Sequence, residues 1–178
     1  QLVSSNDPTQ MVRLYPSYYW DQIAEAAHEA QVDPYLILSV IRQESFFNSD
    51  AVSRVGAVGL MQIMPQTGRK LARSLGVRPF ERQLLFDPDV SIRLGTRFLG
   101  DQVRSFERGP AQNLGTALGL AAYNAGPRVT RSWLERFPYE DTDAFVERIP
   151  YKETRLYVKK VLKNYAIYRT LNGSTRTL

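Results

Sequence analysis

The run from about residue 114 to 123 carries Gly115, Ala117, Gly119, Ala121 and Ala122, so it has little bulk on any side. Glycine inside a helix costs about 1 kcal/mol relative to alanine. A helix of this composition must recover that loss from its neighbours, and small side chains all round let neighbours approach from every direction. The run therefore predicts a central helix closely surrounded by others. Gly126 is a natural C-cap and Pro127 prevents continuation.

Helical signals recur along the rest of the chain. Ser17 is positioned to cap a first helix whose inner face carries Trp20, Ile23, Ala24 and Ala27. Asp33-Pro34 and Asp87-Pro88 are both a capping acid followed by a proline suited to the first helical position. The second of these opens a long helix to about Glu107, with Ile92, Gly95, Leu99, Val103 and Phe106 on one stripe. Further helices are expected over 66–75, around Val129 and Trp133, up to Arg148, and over 153–171, where Tyr157, Val161, Tyr165 and Tyr168 share a face. Residues 77–86 read as irregular. Ser49-Asp50 is a turn signal, and 52–58 with 60–64 predict two short strands, the only sheet. The expected fold is a mainly α single domain over 14–173, with an arm or linker at 1–13, a tail at 174–178 and one small β-hairpin.

Length and charge narrow the function. A chain of 178 residues buries a real core as one domain. It has no cysteine and a single histidine, His28, which sits among polar residues on a helix. Thiolate metal sites, histidine-based metal sites and Ser-His catalysis are thereby disfavoured, and no metal or cofactor is expected. No apolar run reaches the roughly 18 residues of a membrane span. The net charge of +5 favours an acidic polymer, but the lysines and arginines are scattered and no nucleic-acid motif accompanies them. The chain starts at Gln1, which fits a processed protein or a piece of a longer one.

One residue breaks its pattern. The helix after Asp33 has Ile37, Val40 and Ile41 at the spacing of one face, and the next position on that stripe is Glu44. Either the helix is ending and Glu44 has turned to solvent, or a carboxyl is held in a partly apolar cleft. Desolvation there would raise its pKa and keep it protonated near neutral pH. Phe46 and Phe47 keep the surroundings apolar, Gly56 and Gly59 bracket a tight turn, and Gln62 interrupts the apolar run at 60–64 before Pro65 stops it. A helix ending in an acid, followed by a Gly-rich return carrying polar groups, would build one wall of a cleft.

Glu44-Ser45, the run Gly56-Ala57-Val58-Gly59-Leu60-Met61-Gln62-Ile63-Met64-Pro65, and Ala122-Tyr123-Asn124-Ala125-Gly126-Pro127 closely resemble the catalytic domains of soluble lytic murein transglycosylases. Ile149-Pro150-Tyr151, Glu153-Thr154 and Tyr157-Val158 extend the resemblance, which covers about 15 to 168. It implies a goose-type-lysozyme-like fold with the small sheet near the active site. It also implies cleavage of the β-1,4 bond between N-acetylmuramic acid and N-acetylglucosamine, with a 1,6-anhydro product. Glu44 would be the single catalytic acid and then base. Ser53, Gln62, Met64, Tyr123, Asn124, Tyr151 and Glu153 are carried over as substrate-binding positions, with the Tyr123 hydroxyl expected to orient Glu44 and Tyr151 to stack on a sugar ring. Asp50 is the nearest second carboxylate, but aspartate is expected in a turn anyway. A water-using, goose-type-like muramidase is the alternative. The implied partner is peptidoglycan, not nucleic acid. The implied setting is a monomer, part of a longer protein, in a bacterial periplasm or cell envelope.

Overall fold

The computed structural model describes residue 11 and residues 13–107, 112–136 and 141–173. The expected arm and tail lie almost wholly outside these. The described helices are α1 (Trp20–Ala30), α2 (Pro34–Ser45), α3 (Pro65–Ser74), α4 (Pro88–Glu107), α5 (Gly115–Ala125), α6 (Pro127–Arg136), α7 (Thr142–Arg148) and α8 (Lys152–Gly173).

Helix α5 is the centre of the fold. Gly115 and every residue from Ala117 to Ala122 are buried, and α4, α6 and α8 all pack on it. Gly119 shows why the run had to be small: a Cβ there would stand 2.8 Å from the Cα of Val103. Backbone touches backbone at that crossing. Gly126 ends the helix with φ 93°.

Helix α2 starts as its cap signal predicts. Asp33 Oδ1 accepts the Tyr35 N–H at 2.9 Å, and Oδ2 accepts the Tyr165 hydroxyl at 2.7 Å, which ties α8 to the start of α2. Leu36 through Ile41 are buried all round, so the middle of α2 is core, while Pro34 and Tyr35 at its start and the last turn from Arg42 are partly exposed.

Three expectations are corrected. Ser17 does not cap α1, which begins at Trp20 behind a left-handed Tyr19 (φ 59°) with no side-chain cap. Aromatic packing decides that entry: Trp20 lies on Tyr35 at 5.3 Å and Tyr18 meets the edge of Phe47 at 5.6 Å. The supposed irregular stretch contains a 3-10 helix, Arg82–Phe86. The β-hairpin is replaced by a curled loop. Only isolated antiparallel bridges, Val52 to Val58 and Val58 to Ile63, occur among the described residues. Gly56, Gly59 and Gln62 all take positive φ (88°, 78° and 48°), so the chain reverses before consecutive strand pairs can accumulate.

Candidate active site

Glu44 lies in the last turn of α2, immediately before a sharp reversal. Phe46 and Phe47 both adopt left-handed backbone (φ 50° and 64°), a conformation that disfavours bulky side chains by roughly 1–3 kcal/mol each. Phe47 is held by Tyr18 and packs against the core, so tertiary contacts maintain the turn. The chain leaves the helix one residue past Glu44, and the acid stays at an open rim.

Two cavities adjoin Asn124, and Glu44 lines the first of them. One, of about 250 Å³, is lined by Gln43 and Glu44 from α2, Asn124 from α5, and Glu153, Leu156, Tyr157 and Lys160 from α8. The other, of about 340 Å³, is lined by Gln62, Met64, Thr67, Phe98 and Tyr123, and again by Asn124. Asn124 belongs to both, so they form one trough along the end of α5. Its side chain is held by α8, where the Thr154 hydroxyl donates to Asn124 Oδ1 at 2.7 Å.

The Glu44 carboxyl is pushed up from its ordinary 4.5 to about 7. Burial is the main cause, because water no longer solvates the charge. The Tyr157 hydroxyl opposes this by favouring the carboxylate, and the charge of Glu153 adds the smallest contribution, raising it further. Tyr157 Oη is fully buried and completes no hydrogen bond of good geometry. The hydroxyl nonetheless lies close enough to Glu44 to bias that carboxyl. Burial raises the pKa values of Tyr123 and Tyr157 well above 10, so both stay neutral donors.

The positions expected from sequence fare unequally. Gln62 lines the trough, but its Nε2 is already spent on the carbonyls of Ala51 (3.1 Å) and Gly59 (2.9 Å), leaving Oε1 as its free group. Met64 is 43% exposed beside it and offers an apolar face. Tyr123 lines the trough and feels the charge of Glu44, yet its hydroxyl donates to the Met61 carbonyl at 2.7 Å. It therefore fastens the loop to α5 and does not hold the acid. Ser53 Oγ accepts the Ala57 N–H at 2.9 Å and lines neither cavity. Tyr151 is exposed, meets Trp133 edge-on at 5.2 Å, and also lies outside both. Asp50 is exposed in its turn, with its N–H on Asn48 Oδ1. Glu153 is the second carboxyl of the trough.

Tyr157 was missed as a site residue. Its place on an aromatic face of α8 reads as core, and it is buried. The available signal was spacing: Glu153 and Tyr157 are four apart, so a helix that presents one to a groove presents the other. Thr67 and Phe98 carried no such signal.

A carboxyl raised by burial to about 7 is about half protonated at neutral pH, and in this helical fold it lines an open cavity, so it is chemically able to donate a proton to a bound group. The chain belongs to the family described as the transglycosylase SLT domain, whose model matches residues 21–146, and a soluble lytic transglycosylase helical-domain model matches 148–176. The soluble lytic murein transglycosylase of Escherichia coli is 36% identical over 92% of this chain and 25% of its own length. Among solved structures, an inactive mutant of the lytic transglycosylase Slt from Pseudomonas aeruginosa superposes with TM-score 0.81 at 37% identity, over 90% of this chain and 25% of that one. The 70 kDa soluble lytic transglycosylase from Escherichia coli gives 0.79 at 33%, over 92% and 26%. The chain thus spans about a quarter of the length of these relatives.

Proposed function

We propose that this chain cleaves peptidoglycan glycan strands as a lytic transglycosylase, with Glu44 as both acid and base. Protonated Glu44 donates its proton to the glycosidic oxygen between N-acetylmuramic acid and N-acetylglucosamine, and the N-acetylglucosamine leaves with a 4-hydroxyl. The 2-acetamido group of the substrate stabilises the positive charge at C1. Glu44, now a carboxylate, takes the proton from the muramyl C6 hydroxyl, whose oxygen bonds to C1 and closes the 1,6-anhydro ring. No water is consumed and Glu44 ends protonated.

The observation that carries this reading is the Glu44 pKa of about 7, which lets one group serve both roles near neutral pH. Tyr157 stabilises the carboxylate half of the cycle. Asn124, the free oxygen of Gln62, the apolar face of Met64 and the carboxylate of Glu153 supply the polar and soft contacts of a saccharide groove. Ser53 and Tyr151 are family-matched binding positions that would engage sugar only beyond the two cavities. The cell envelope is the location this substrate requires.

Glu153 gives the hydrolytic muramidase reading a specific footing, since it is a second carboxyl in the same cavity. Glycosidase carboxyl pairs stand roughly 5–9.5 Å apart around a shared bond or water. At such range in a dry site their mutual charge would dominate the acid's pKa. Here Glu153 is exposed and makes the smallest of the three contributions to Glu44, which favours the single-acid route. The test is digestion of purified glycan strands by the wild type and by Glu44→Gln. General acid–base help is worth about 10²–10⁴-fold, so the variant should lose at least two orders of magnitude while keeping its circular dichroism spectrum. A folded variant of near-normal rate would remove Glu44 from the mechanism.

A further inference from the structure

On the far side of α3 from the trough lies a second cleft, of about 480 Å³, lined by Arg69, Arg73, Val77, Arg78 and Phe80. The local sequence builds it. Arg69 and Arg73 are one helical turn apart on α3. Gly76 then takes φ 72°, and the Val77 N–H bonds back to the Ala72 carbonyl at 2.9 Å, the closing bond of a helix-terminating turn. That reversal lays Val77 and Arg78 beside the two helical arginines. Phe80 forms the apolar part of the wall, seated on Gly68, where a Cβ would meet its ring at 2.9 Å.

Among the described residues no acid lines this cleft and no ion pair engages its arginines. Three like charges converging on one concavity oppose folding slightly. All three are arginine, whose planar fork matches carboxylates and phosphates in a bidentate way. We propose that the cleft is an anchoring site for the carboxylates of acidic peptide branches on the wall polymer, separate from the catalytic trough. This rests on the peptidoglycan reading above. Reach agrees with it: Thr67 faces the trough and Arg69 lies about 200° further round α3, so the surface path between them is half the circumference of a helix about 10 Å across, about 16 Å. About five extended residues cover about 16–18 Å, so a branch of that length on a bound strand spans the distance.

The test separates holding from cutting. Retention on insoluble, peptide-bearing peptidoglycan is measured by co-sedimentation in a Glu44→Gln background, so the polymer stays intact. Arg69→Ala/Arg73→Ala/Arg78→Ala should weaken retention about tenfold, Arg73→Ala alone less, and the difference should fade as salt is raised. An acidic tetrapeptide should compete for the protein with the intact cleft, and more strongly than inorganic phosphate at equal concentration and ionic strength. With Glu44 restored, the triple variant should cleave short, peptide-free glycan at the unmodified rate. Unchanged retention overturns the proposal, as does a parallel loss of turnover on the peptide-free glycan. Displacement by phosphate as strong as or stronger than by the peptide also overturns it and assigns the cleft to a phosphate polymer. Failure of the unmodified protein to cleave any glycan would instead strike the catalytic reading.

Discussion

Replacing Glu44 by glutamine should make the protein more stable at alkaline pH while disabling its proton donor. The folded-state pKa of about 7 stands about 2.5 units above the ordinary 4.5. Below pH 4.5 the carboxyl is neutral whether the chain is folded or not, so it contributes no pH-dependent penalty. Between 4.5 and 7 the folded state keeps a proton that the unfolded state has released, and stability falls by about 1.4 kcal/mol per pH unit. Above 7 the full penalty, about 3 kcal/mol, is in place. Glutamine never ionises and escapes it. For a chain of this size about 1 kcal/mol corresponds to about 2–4 °C, so the variant should melt about 6–12 °C above wild type at pH 8 and close to it at pH 4. Thermal unfolding followed by circular dichroism at pH 4, 6 and 8 reads the difference. A gap that does not grow with pH, or a variant less stable than wild type at pH 8, would mean that Glu44 is solvated and its pKa ordinary.

Other perturbations probe the same geometry. Since the proton donor is lost as Glu44 ionises, kcat/KM should fall on an alkaline limb centred near pH 7, read from a pH–rate profile. Tyr157→Phe removes a group that favours the carboxylate, so the limb should move to higher pH and turnover should drop. Its stability should hold or improve by about 1 kcal/mol, because the deleted hydroxyl is buried without a completed bond; an unmoved limb would make Tyr157 packing only. Tyr123→Phe strands the Met61 carbonyl and should cost about 1–3 kcal/mol in denaturant unfolding. Gly59→Ala should cost at least about 2–3 kcal/mol, because its φ is 78° and a Cβ would collide with the Leu85 carbonyl oxygen.

The parts of the fold legible in the sequence were those set by local rules. Asp33-Pro34 started α2, and the small residues of α5 announced a helix that others must touch. Glu44 was visible because it broke a stripe. Features set by long-range packing were not legible. Ser17 was overruled as a cap by Trp20 on Tyr35, contacts that no local pattern encodes. The expected strands failed because Gln62, a non-glycine, joins two glycines at positive φ. The hydroxyl facing Glu44 belongs to Tyr157, more than a hundred residues away in sequence, whereas Tyr123, in the more conspicuous motif, is spent on Met61. A buried tyrosine looks the same in sequence whether its hydroxyl faces a carbonyl or an acid.

The central claim is that one carboxyl, rising and falling through a pKa near 7, cleaves the strand without water. It is tested most directly by mass spectrometry of the products of wall-polymer digestion in water labelled with heavy oxygen. The account predicts fragments ending in 1,6-anhydro-N-acetylmuramic acid, one water lighter than the hydrolytic product and carrying no label. Fragments with a free reducing end that have taken up the heavy oxygen would contradict it, and would give Glu153 the role of activating that water.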